Sequence, residues 1–140
     1  MAYLIKKSPR LEEDLEFLEE DGTVGLRIHV DIVPERIAKD YRRIKLDLIH
    51  AQEETKKGNP EAVEMFGAAI VAMCRTLFGE EQAAQMLEYY NGRYTDMIVN
   101  LFPFIQDRVE PMLRTAANDR KAFMAQNYRL NRRQKRKMGL

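Results

Sequence analysis

Two imidazoles and one thiol, His29, His50 and Cys74, are the only His and Cys side chains in this 140-residue sequence. Zinc chemistry needs such ligands in close pairs, and neither His-x-x-x-His nor Glu-x-x-His occurs. Nucleophilic catalysis needs an activated thiolate. Cys74 instead lies in Ala-Met-Cys-Arg-Thr within the most apolar stretch of the chain, where a packed, inert thiol is the expectation. Arg75 follows it but projects about a quarter-turn away on a helix. His29 falls on the polar side of an alternating segment beside Asp31, which reads as a solvated surface histidine. His50 sits near the end of a helical pattern, where the dipole favours a cation. Seven acids between residues 12 and 21 could hold a hard cation, but they lack the alternation and terminal glutamate of a calcium loop. Gly22 and Gly25 have neither the spacing nor the strand-to-helix order of a phosphate loop. No catalytic residue, cofactor or metal is expected, so the role is binding or assembly and not enzymatic.

Charge points the same way. Residues 114–140 carry nine Lys/Arg and one acid, Asp119, whereas residues 1–113 carry fourteen basic and twenty-one acidic side chains. A near-neutral chain is thus an acidic body with a basic tail, and such a tail suits an acidic partner, whether protein or nucleic acid. Tyr128 beside Arg129 could stack a base, but no groove-entering motif or aromatic interleaving accompanies it, so protein docking or solubilisation is the preferred reading. A single cysteine allows no internal disulfide. The opening Met-Ala-Tyr-Leu-Ile-Lys-Lys is too short an apolar run for a signal peptide, and no stretch reaches membrane-spanning length. A cytoplasmic protein with no membrane partner is the default expectation.

These side chains are positioned by a small α+β fold, predominantly helical: an N-terminal β-hairpin, a bundle of four to five helices, and the basic tail. Val24, Leu26, Ile28, Val30 and Ile32 alternate with polar residues as in a half-buried strand. Asp21-Gly22 signals a turn before it, so the hairpin should span about 14–32, with Leu15 and Phe17 on one face. Helices are expected over about 34–57, 60–78, 80–90 and 94–117, delimited by Pro34, Lys56-Lys-Gly58, Asn59-Pro60, Gly79 and Asn91-Gly92. Residues 63–78 are apolar around most of the circumference, as in a central core helix. Pro103 and Pro111 should break or kink the last helix near Phe102 and Glu110. The domain is expected to end at residue 117, leaving 118–140 as a basic tail, helical or disordered.

Residues 86–112 carry a recognisable order: a short helix ending in Tyr89-Tyr90, then Asn91-Gly92, Tyr94, an apolar turn through Met97 and Leu101, Pro103 between Phe102 and Phe104, and Pro111. This segment, with the hairpin, the charged helix and the apolar helix ending in Phe78-Gly79 before it, resembles the tail assembly chaperones of long-tailed, siphovirus-like bacteriophages and prophages. The resemblance implies a non-enzymatic chaperone in the host cytoplasm that binds the tape-measure protein and helps recruit tail-tube protein. It also implies that a longer, frameshifted product could extend the tail. No site residues come with it. From chemistry alone, Met97, Phe102 and Phe104 are candidates for an apolar client groove around Pro103, alongside other methionines, Met65, Met73, Met86 and Met112, whose flexible side chains can repack. Arg129, Arg132, Arg133, Lys135, Arg136 and Lys137 are candidates for a charged docking surface, and a homo-oligomer steered by the acidic and basic segments is expected. The alternatives are a nucleic-acid-binding accessory protein using the basic tail, or a phage protein that docks on a host target.

Overall fold

The structure, a computed structural model, describes the backbone of residues 1–7 and 10–137 and the side chains of these as far as Tyr128. An antiparallel hairpin, β1 (Leu11–Leu18) and β2 (Val24–Ile32), precedes the helices α1 (Pro34–Lys56), α2 (Ala62–Phe78), α3 (Glu80–Tyr90), α4 (Tyr94–Phe104) and α5 (Glu110–Lys137). The fold is therefore α+β and mostly helical. β1 begins three residues before the expected start, because Leu11 opposite Ile32 extends the apolar face by one more pair. At the hairpin tip the Asp21 carboxylate accepts from the Thr23 amide and hydroxyl, at 3.0 and 2.7 Å, and Gly22 supplies the positive φ of 86° that the turn requires.

Alternation decides which hairpin face is covered. Ile28, Val30 and Ile32 of β2 are essentially inaccessible and pack on α2, whose Ile70, Met73, Cys74 and Leu77 form the centre of the core. α1 lies along α2 through Ile37, Tyr41, Ile44 and Ala51. Each buried aliphatic side chain of this kind contributes about 1.5–3 kcal/mol, so the α1–α2–β2 contact dominates the stability of the body. Asn59 begins the α2 end of the α1–α2 connection, its Oδ1 accepting from the Glu61 amide at 2.9 Å. Asn91 closes α3 in the left-handed region, φ 46°, with its amide bonded to the Leu87 and Glu88 carbonyls.

The two prolines do not break the final helix. Pro103 lies inside α4, and a π-turn, Ile105–Val109, joins α4 to α5 without leaving helical geometry. The Glu110 amide bonds to the Ile105 carbonyl five residues back. Pro111 has no N–H to donate and its ring would crowd the carbonyl four residues earlier, so the wider turn relieves what an α-helix would strain. Residues 94–137 thus form one helical rod, roughly 65 Å long at 1.5 Å per residue. The expected tail is helical backbone as far as Lys137.

Candidate functional site

Four surfaces bear on function, beginning with the apolar candidates. Met97 is 0% exposed and belongs to the core, as do Met73 and Met86, so the expected groove of repacking methionines is corrected. These residues face inward because their helices bury the sides that carry them, whereas Met65 and Met112 are half-buried. Phe102 is 55% exposed and stands one turn from exposed Val99, forming a small outward patch. Phe104 lies about 200° around the same helix from Phe102 and faces another region. Met97, Phe102 and Phe104 therefore do not converge around Pro103.

Phe104 lines a groove of about 770 Å³ between the β1 side of the hairpin tip and the α3–α4 corner. Its floor is aromatic. The rings of Phe17 and Tyr90 meet edge-on at 5.9 Å, and those of Tyr89 and Tyr90 at 5.4 Å. Glu16, Glu19, Glu20 and Asp96 line it against a single cation, Arg93, so the rim is acidic. Tyr89 donates to Glu19 at 3.1 Å across the hairpin tip, and partial burial with that carboxylate pushes the phenol pKa up. Gly25 makes room for this contact, since a Cβ there would come within 2.5 Å of the Tyr89 hydroxyl and of Glu19.

The hairpin's two edges differ. On β2, the Gln82 side chain of α3 accepts from the His29 amide at 2.8 Å and donates to the His29 carbonyl at 2.7 Å, occupying the place of a neighbouring strand. Both backbone groups of His29 therefore point away from β1. Antiparallel pairs alternate between bonded and non-bonded, so Asp14, opposite His29, also turns its N–H and C=O outward, and Glu12 and Glu16 do likewise. No other strand pairs with β1 among the described residues, leaving this an open edge beside the groove. The His29 imidazole itself lies 2.8 Å from Asp14 on the exposed face, and that hydrogen bond raises its pKa.

The fourth surface is α5. Glu110, at its start, accepts from the Tyr41 hydroxyl at 2.6 Å and from Lys45 at 2.7 Å, which ties the rod to α1. Val109, Met112, Leu113, Ala116 and Ala117 then face the body, and from residue 118 to Tyr128 every side chain is exposed. Phe123 and Met124, 67% and 63% exposed, continue the same angular face at multiples of seven and eleven residues from Val109, Ala116 and Leu113. A helix face that is covered in its first two turns thus runs on uncovered. Phe123 and Met124 were missed from the sequence, although the spacing Val109, Ala116, Phe123, Leu130 was there to find. Arg129, Arg132, Arg133, Lys135, Arg136 and Lys137 have helical backbone, and their side chains lie outside the described residues.

Chemically reactive groups are sparse. Cys74 is buried and its thiol is pushed up to about 11 by burial. Among the described residues no group of three His, Cys, Asp or Glu could hold a metal ion, and no helix is long and apolar enough to cross a membrane. A second hollow, between His29, Arg36 and the start of α3, is lined by Glu80 and Glu81, which oppose anion binding at that helix end. Compared with known proteins, the chain matches no family model, no curated sequence and no solved structure.

Proposed function

We propose that this chain is a non-enzymatic assembly chaperone of a long phage tail that binds the tape-measure protein in the host cytoplasm and helps recruit tail-tube protein. The observation that carries a client-binding role is the uncovered continuation of α5, an amphipathic helix presenting Phe123 and Met124 between basic residues. Such a face pairs with another amphipathic helix, apolar seam to apolar seam, with the basic flanks favouring acidic residues on the client. The choice of tape-measure protein as that client rests on the resemblance of residues 86–112 and the order of elements around them. The Val99–Phe102 patch supplies a second, smaller contact on the same rod.

Co-expression with the tape-measure protein of the same genome tests this. The client should stay soluble and co-purify, and Phe123→Asp with Met124→Asp should abolish co-purification without lowering the melting temperature, since both side chains are exposed. Retention of the client by the double variant would remove α5 as the binding face. Salt-sensitive binding to arbitrary duplex DNA, with no binding to the client, would favour the nucleic-acid alternative.

A further inference from the structure

The open edge of β1 is next to a groove with an aromatic floor and an acidic rim, and its acidic side chains select what can cover it. Glu12, Asp14 and Glu16 are exposed along the strand whose outward N–H and C=O groups have no neighbouring strand among the described residues. Arg10, His29 and Arg27 pair with them, yet the hairpin over residues 11–32 keeps a large excess of acids over cations. A helix cannot satisfy those groups, because its own backbone bonds are internal; a strand can. Pairing β1 with β1 of another copy would set these carboxylates against each other, so the fitting occupant is an extended segment that is apolar and basic. Residues 1–7, Met-Ala-Tyr-Leu-Ile-Lys-Lys, have that composition. They have no regular structure, and Tyr3, Leu4 and Ile5 are 90%, 85% and 85% exposed.

We infer that the N-terminal arm of one copy adds as a strand to the β1 edge of a second copy. Alternation places Tyr3 and Ile5 on one side of the arm, where they enter the groove beside Phe17 and Phe104, while Lys6 and Lys7 meet the carboxylates of β1 and the rim. At about 3.3 Å per residue, residues 2–7 can span about 20 Å of the open edge. Return of the arm onto its own β1 is disfavoured by the intervening Ser-Pro-Arg, residues 8–10. A tight hairpin turn needs positive φ, which Gly or Asn supplies and proline forbids. Reciprocal exchange occupies both edges in a two-fold dimer. This inference uses a different surface from the client-binding face of α5 and stands apart from the chaperone reading.

The full chain should form dimers in sedimentation velocity as concentration rises, and the amides of Glu12, Asp14 and Glu16 should exchange about tenfold more slowly in the dimer than in the monomer. Leu4→Pro with Ile5→Pro, which removes the strand donor whichever of the two faces β1, and separately Lys6→Glu with Lys7→Glu should each return the protein to monomer and restore fast exchange. Because the arm buries nothing within its own chain, neither variant should lower the melting temperature measured at dilutions where the parent is also monomeric, whereas at dimer concentrations the parent alone should gain stability by mass action. A monomer at every concentration, or a dimer indifferent to both variants, would overturn the inference. Slow exchange independent of concentration would overturn it too, by showing that the arm folds back on its own strand. Client binding, read through the Phe123→Asp and Met124→Asp double variant, would be unaffected by either result.

Discussion

Gln82 is the side chain on which the asymmetry of the hairpin turns. Its amide makes two hydrogen bonds to the His29 backbone and a third, at 3.0 Å, to the Phe78 carbonyl, joining β2 to the α2–α3 corner. Gln82→Met should cost about 1–3 kcal/mol, because it leaves backbone donor and acceptor at a strand edge without their partner. Gln82→Glu should fall between, retaining an acceptor for the His29 amide but losing the donor for the carbonyl. Urea denaturation of the three proteins checks the order. A few residue roles were legible in the sequence: Cys74 as a packed thiol follows from its apolar neighbours, and His29 as a surface residue follows from alternation. Gln82 was not legible, since a glutamine in a helix's first turn looks like any solvated residue until the strand it faces is known.

Helices and strands were legible where local pattern and tertiary environment agree. The period-two run of β2 and the proline and glycine limits of α1 to α3 both point to what forms, since burial rewards the same faces that the pattern marks. The helix over 94–117 was legible too, with an irregularity expected near Glu110, where the π-turn ends. That the chain runs through both prolines without a break and stays helical to Lys137 was not, because the prolines argue locally for interruption while packing on α1 rewards continuity. Arg108 of that turn pairs with Glu13 of β1 at 3.0 Å, and Tyr41 and Lys45 of α1 hold Glu110 at its end. Burial pushes the Glu110 carboxyl up, but hydrogen bonds from Lys45 and Tyr41 outweigh it and hold the group below its ordinary value of 4.5. A carboxyl depressed in the folded state adds stability above its unfolded pKa, and that contribution is lost as pH falls through the folded value. Tyr41→Phe should therefore cost about 1.5 kcal/mol at neutral pH. The deficit relative to the parent should shrink as the pH is lowered below 4.5, which denaturation at a series of pH values would reveal. A deficit that is constant with pH would mean that the tyrosine acts by packing alone.

At the scale of the whole molecule, the chain divides by what each part buries. The core of α1, α2, α3 and β2 takes in most of the inaccessible side chains, and the rod joins it through Met97, Leu101, Ile105 and Val109. Beyond Ala117 the side chains described as far as Tyr128 are all exposed, so this half of α5 is held by helix continuity and not by packing. The sequence signals this end only as charge: nine basic residues after 113 say that the segment does not enter a core, but not that it stays helical. Truncation after Ala117 should accordingly leave the melting temperature within a few degrees of the parent, because surface segments contribute little and a loss of about 1 kcal/mol shifts a domain of this size by only about 2–8 °C. The same truncation should eliminate client binding, since Phe123 and Met124 go with it. Thermal melts and co-purification with the tape-measure protein read the two consequences separately. A truncated protein that unfolds would place α5 among the elements that stabilise the body, whereas one that folds and still holds the client would move the binding face to the Val99–Phe102 patch that remains.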